Sequence, residues 1–220
     1  MSTHATATPG LQHHFRDHAQ QKGAVGLGMW VFIAQEVMFF GGLFLTYAVY
    51  RSQYPDVFRV ASHHLNTQLG AANTAVLILS SLTMALAVHA IALGKKRQTV
   101  LFLILTIVLG GIFLGVKVVE YADKFEHQLV PGPHFSGHAL GLTGDRAGHA
   151  QIYFSLYFAM TGLHALHMII GVPIILWIAR RAHAGEFRPD YNSPVELVGL
   201  YWHFVDIIWI FLFPLLYLIS

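Results

Sequence analysis

The chain has 220 residues, a formal net charge of +2 and no cysteine; 55% of it is hydrophobic and only 11% charged. Such a composition cannot clothe a water-soluble fold in polar surface, so the expected solvent is lipid, and a charge so close to balance argues against a nucleic-acid partner. Without cysteine there is no disulfide, no thiolate-bridged copper centre and no covalently attached c-type haem, so any redox cofactor would have to use histidine or methionine.

Residues 1–23 (MSTHATATPGLQHHFRDHAQQKG) form a polar tail with no signal-peptide core, so the first apolar helix is expected to direct insertion. His4, His13, His14 and His18 could bind a metal, but a solvated, mobile tail is the plainer reading. Apolar stretches longer than about 18 residues read as membrane spans. They occur near 24–50, 69–93, 99–121, 152–178 and 195–219, which predicts an all-α, five-helix membrane domain over residues 24–220. Arg16, Lys22, Lys95, Lys96, Arg97, Arg180, Arg181 and Arg188 fall on one side, against Arg51, Arg59, Lys124 and Arg146 on the other. By the positive-inside rule the N-terminus is cytoplasmic and the C-terminus periplasmic.

In the first span, FIAQEVMFF places Gln35 and Glu36 near mid-membrane. An unpaired anion there costs at least about 2.5 kcal/mol, so Glu36 is expected to be neutral and hydrogen-bonded across helices, with His203 as the expected partner. The second and third spans mirror each other about GKKRQT, which sets Asn73 level with Glu120. Lys117 stands one turn before Glu120, so KVVEY offers either an internal ion pair with Asn73 as a neutral partner, or a lysine that snorkels outward beside a hydrated Glu120. The loop from Ala122 to Gln151 is long and carries His127, His134, His138 and His149; a contact with a periplasmic electron donor is one use for it.

HALH in the fourth span sets His164 and His167 on one helix face. They could ligate a metal or two haems, as in a free-standing b-type cytochrome. That would need matching histidines on a facing helix, where only His203 is near that level, so hydrogen-bonding core histidines are expected instead. In the fifth span, YWHFVDIIWIF sets His203 one turn before Asp206, and the mirror about the preceding loop puts Asp206 level with His167. The expectation is a polar clasp between the two helices.

FIAQEVMFF, NTAVLILSS, GIFLGVKVVEY, TGLHALHMIIG and YWHFVDIIWIFLF occur in the order, and on the successive helices, in which subunit III of haem-copper respiratory oxidases carries very similar strings. The resemblance spans about residues 25–219 and is to the five-helix bacterial form, which lacks the first two helices of many members. It implies an accessory subunit of a proton-pumping cytochrome c oxidase in a bacterial inner membrane, with haem and copper held by partner subunits. It further implies bound phospholipid, a main contact with oxidase subunit I through the first and third helices, and a neighbouring subunit II; whether the chain belongs to a larger respiratory supercomplex is not legible in the sequence. Glu36 falls on the family's carbodiimide-reactive buried carboxyl. The resemblance implies support of proton uptake by the catalytic subunit and protection of its active site over many turnovers, without Glu36 itself carrying pumped protons. A lipid cleft between two sub-bundles would be absent or completed by helices of another chain, and Lys117 stands where some branches carry glutamine. A quinol oxidase subunit III and a nitric oxide reductase-associated homologue are the alternatives within the superfamily.

Overall fold

The computed structural model of the protein describes residues 15–189 and 191–219. Its elements in chain order are α1 (His18–Gln53), α2 (Pro55–Ser62), α3 (Thr67–Ala92), α4 (Lys96–Glu126), a single 3-10 turn (Gly137–Leu140), α5 (Asp145–Ala184) and α6 (Ser193–Tyr217). Five of these helices, α1 and α3 to α6, are long and apolar enough to cross a membrane. His4, His13 and His14 lie outside the described residues.

The helices overrun the apolar stretches that announce them. α1 starts already at His18, where the Asp17 side chain accepts the Gln20 N–H at 2.7 Å, so part of the stretch assigned to a polar tail is helix. α5 has 40 residues and is about 60 Å long, twice the roughly 30 Å hydrocarbon layer. Its polar ends, like those of α4, stay helical beyond the lipid, where hydropathy no longer marks them. α3 opens on Asn66, whose side chain accepts the Leu69 N–H at 3.0 Å. Gly94 and Gly185 end α3 and α5 with φ of 70° and 82°, a conformation that costs a residue with a Cβ.

α3, α4, α5 and α6 form a ring in which each packs on the next, α6 closing back onto α3, while α1 lies outside against α5 and α6. Only 11% of the most apolar stretch of α1 is buried, against 28–44% for the other four, so α1 is an attached helix and the ring is the core. Phe40 and Tyr47 anchor it: both are buried, and the Tyr47 hydroxyl donates to the Leu215 carbonyl at 2.6 Å.

Trp202 of α6 ties the ring together. Its indole lies where a Cβ on Gly110 of α4 would meet it at 3.0 Å and one on Gly171 of α5 at 2.9 Å, and its N–H donates to Ser80 of α3 at 3.1 Å. The side chain is fully buried, so one residue touches every helix of the ring.

At one end of the ring the loop expected over 122–151 is shorter and more ordered than its sequence suggests. α4 runs on to Glu126 and α5 begins at Asp145; between them Leu129, Leu140 and Leu142 are buried. His149 stacks on Tyr54 with centroids 3.7 Å apart, and His127 holds the Asp123 carbonyl at 2.8 Å, while His134 and His138 are exposed. α2, too short to span, buries Val57, Phe58 and Ala61. Lys124, itself buried, donates to the His64 carbonyl at 2.8 Å and pairs with Asp123, which fastens the α2–α3 connection to α4.

Gly171→Ala should therefore lower stability by about 1–3 kcal/mol, since the ring of Trp202 has no room to give, whereas Gly41→Ala, whose Cβ meets nothing within 4 Å, should be neutral or slightly stabilising. Thermal unfolding of the detergent-solubilised protein checks this, and equal midpoints for the two variants would refute it.

Candidate functional site

The largest polar cluster grows from KVVEY on α4. Lys117 and Glu120, three residues apart on one face, meet at 2.9 Å with both side chains almost wholly buried. α5 supplies Tyr157 and α6 supplies Tyr217, whose hydroxyls accept from Lys117 Nζ at 3.3 and 3.0 Å. Both tyrosines donate to Glu120 Oε1, Tyr157 at 2.8 Å. The three hydrogens of the ammonium thus have three acceptors, and both carboxylate oxygens are occupied. The rings of Tyr121, Tyr157, Trp209 and Tyr217 surround the ammonium with centroids 5.0–5.7 Å away. Lys117 therefore turns inward, and the snorkelling arrangement is not adopted. Asn73 is not part of the cluster: its amide donates to the Phe113 carbonyl at 3.3 Å, about two turns before Glu120.

Glu36 of α1 meets α5. His167 Nε2 lies 3.3 Å from Glu36 Oε2, without the alignment of a hydrogen bond, and His167 Nδ1 lies 2.8 Å from the Leu163 carbonyl. A carbonyl only accepts, so Nδ1 carries a hydrogen and Nε2 of a neutral ring presents a lone pair to Glu36. The contact is attractive only with a further proton between the two groups, on the carboxyl or on the ring. Glu36 and His167 thus meet where the outer helix joins the ring.

His203, the partner expected for Glu36, instead faces α3, where its Nδ1 is 2.7 Å from Ser81 Oγ. The expected clasp between His167 and Asp206 is also absent, because His167 is turned toward α1. About one turn away along both helices α5 and α6 do meet, through His164 and Trp209, whose ring centroids are 5.1 Å apart. What the sequence could not supply was the rotation of each helix about its own axis. Asp206 is 2% exposed and faces the same groove as Ser81 and His203.

Tyr157, Tyr217 and Thr161 were not singled out in the sequence, although Tyr153, Tyr157, Thr161 and His164 form a polar stripe at four- and three-residue steps along an otherwise apolar α5. That stripe is the signal that could have found them. Tyr153 donates to the Leu216 carbonyl at 2.9 Å, and Thr161 pairs with Tyr121 at 2.6 Å.

Among the described residues no three His, Cys, Asp or Glu side chains converge as a metal site would require. His167 bonds the Leu163 carbonyl beside Glu36 and His203 bonds Ser81, but the hydrogen-bonding core histidine expected at His164 is not formed: it stands between the rings of Phe113 and Trp209, with neither ring nitrogen hydrogen-bonded among the described residues. The arrangement can fix helices against one another. Breaking the buried pair with Glu120→Ala should cost about 3–5 kcal/mol, because it strands an ammonium, while the double replacement Lys117→Met with Glu120→Gln should cost much less. A double-mutant cycle on unfolding of the solubilised protein reads the coupling; additive losses would contradict the closed cluster.

A family profile described as Cytochrome c oxidase subunit III matches residues 9–127 and 147–220, leaving the ordered loop between α4 and α5 outside the match. The chain is 34% identical over 198 residues to cytochrome c oxidase subunit 3 of Corynebacterium diphtheriae, covering 89% of this chain and 88% of that protein. It is likewise 34% identical to cytochrome c oxidase subunit 3 of Papio hamadryas, over 86% of this chain and 67% of that one. To quinol oxidase subunit 3 of Bacillus subtilis it is 30% identical, covering 88% and 86%. A matching profile over most of the length, together with five membrane-spanning helices, places this chain in the cytochrome c oxidase subunit III family of haem-copper oxidases.

Proposed function

We propose that the protein is a non-catalytic subunit of a proton-pumping terminal oxidase fed by cytochrome c, which carries no redox centre of its own, binds phospholipid, and supports the catalytic subunit and its proton uptake. The observation that carries this reading is the use of intramembrane polar side chains between helices: Lys117 and Glu120 are closed by Tyr157 and Tyr217, His203 is bound to Ser81, and His167 lies beside Glu36. Side chains so placed fix helices against one another, and on this reading haem and copper belong to subunits I and II.

The outer face of α1 is where subunit I docks. Leu27, Trp30, Val31, Met38 and Leu45 all stand exposed along it, a longer apolar face than the ring helices need for their own packing. The more basic ends of the helices set the N-terminus in the cytoplasm of a bacterial cell and the C-terminus in the periplasm. A subunit III of a quinol oxidase is the second reading, favoured by the Bacillus relative, which the chain matches over as much of its length as it does the Corynebacterium one. A two-cysteine copper site in the neighbouring subunit II would decide for cytochrome c.

Purification through a tag on this chain should bring down the haem-bearing catalytic subunit. Deletion of the chain should leave the haem spectrum of the remaining complex intact but shorten its active life under sustained turnover. A visible haem spectrum in the chain purified alone, or an unaltered lifetime after its deletion, would sink the proposal.

Glu36→Gln should retain assembly and most oxidase activity, because an amide N–H can donate to His167 Nε2, whereas Glu36→Ala should loosen α1 from the ring. Carbodiimide labelling of the chain should disappear in both variants. Persistent labelling in Glu36→Gln would place the reactive carboxyl elsewhere.

A further inference from the structure

At the end of the ring covered by the α4–α5 loop, His64 stands in the connection between α2 and α3 with each ring nitrogen aligned on a backbone carbonyl. Nδ1 lies 3.1 Å from the Val60 oxygen of α2, and Nε2 lies 3.1 Å from the Ala139 oxygen of the 3-10 turn. A carbonyl oxygen only accepts, so both contacts are hydrogen bonds only when both nitrogens carry hydrogen. A neutral imidazole has one N–H. It can serve Val60 or Ala139, and the other carbonyl then faces a lone pair. The geometry is that of an imidazolium.

The two carbonyls differ in what they join. Val60 is four residues back, so that bond stays within α2 and its last turn, whereas Ala139 is 75 residues away, in the stretch 128–146 that the family profile leaves unmatched. The Ala139 contact thus ties that stretch to the α2–α3 connection. When one hydrogen is lost, the bond to Val60 is the easier to keep, because the short segment already holds both atoms together, and the bond to Ala139 is forfeited. The His64 side chain is exposed, so its proton exchanges directly with water outside the membrane.

The charged and titratable groups around it are His63 beside it, Arg59 of α2, Asp123, Lys124 and His127 at the end of α4, and His138 of the turn. Lys124 donates to the His64 carbonyl at 2.8 Å and is paired with Asp123. His127 Nδ1 lies 2.8 Å from the Asp123 carbonyl and 3.3 Å from its carboxylate, contacts that stay within the last turn of α4. His63 and His138 are exposed. His64 is the histidine whose ring bonds join two segments.

We propose that His64 is an acid-set latch: protonated, it pins the 3-10 turn of the 128–146 stretch to the α2–α3 connection, and neutral, it lets that stretch go. Docking and proton binding favour each other, so the latch is shut at the acid end of the range in which histidine changes charge, about pH 5 to 8, and opens as pH rises through it. The latch stands on these contacts alone. That pumped protons arrive on its side rests on the orientation and role proposed above; turnover then keeps the cover shut.

The chain has no cysteine, so His138→Cys gives this chain a single attachment point for a nitroxide spin label in the turn and removes one titrating neighbour. Spectra of the assembled, lipid-embedded complex, resting and without electron donor, are recorded across about pH 5 to 8. The complex without the introduced cysteine supplies the background from other subunits. The ratio of mobile to immobile label should rise reversibly by about threefold or more toward the alkaline end. His64→Phe has no donor and should be mobile throughout, while His127→Gln should keep the pH response; the haem spectrum of each complex verifies assembly. A label equally mobile at every pH with His64 in place would overturn the latch. So would a response that survives His64→Phe or disappears in His127→Gln. The readout is loop mobility at rest, so an error in the proposed oxidase role would leave these outcomes unmoved.

Discussion

Inside hydrocarbon a polar group has no water to return to, and every intramembrane feature of this protein follows from how that demand is met. A lone charge at the centre of a span costs at least about 2.5–3.5 kcal/mol on insertion scales. Lys117 and Glu120 escape it by drawing tyrosines from α5 and α6, so that an ammonium and a carboxylate become one closed neutral unit. The requirement to satisfy two charges thereby fixes the relative rotation of three helices. Apolar packing alone could not, since lipid tails are as good a solvent for leucine as another helix is. Trp202 does the same at another level by a different means: the indole fills the space left by Gly110 and Gly171, and its N–H must reach Ser80.

The five spans were legible because each is an unbroken apolar run, and α2 and the 3-10 turn were not, because eight and four residues of mixed polarity carry no such signal. The pairing of Lys117 with Glu120 could be read as one of two options from their spacing on a single helix. Partners on different helices could not. In a soluble helix an apolar stripe announces the buried face; here the lipid-facing side is as apolar as the packed side, so nothing in the run of residues tells which way Glu36, His203 or Asp206 points. Equal distance from a loop gave depth but no azimuth. That is why Glu36 was assigned to His203 and Asp206 to His167, whereas the structure sets Glu36 beside His167 and Asp206 on the α3 side with Ser81.

The polar groups differ in how far they are closed. The Lys117 cluster lies within the ring and is complete, so it can only hold. Glu36 and His167 sit where the peripheral helix meets the ring. Asp206 lies under the lipid-facing groove beside Ser81 and His203. Closure does not simply follow depth, for His164, 1% exposed inside the ring, has neither nitrogen hydrogen-bonded among the described residues.

α1 makes the consequence concrete. Glu36, Phe40 and Tyr47 bind it to the ring at four- and seven-residue steps along one face, through the contact with His167, a buried ring and a hydroxyl on the Leu215 carbonyl. The opposite face, from Leu27 to Leu45, makes no comparable contact among the described residues. Rotation of α1 would carry Glu36 away from His167 and Tyr47 away from the Leu215 carbonyl, so a neighbour that holds the outer face of α1 in place also keeps these two contacts in register.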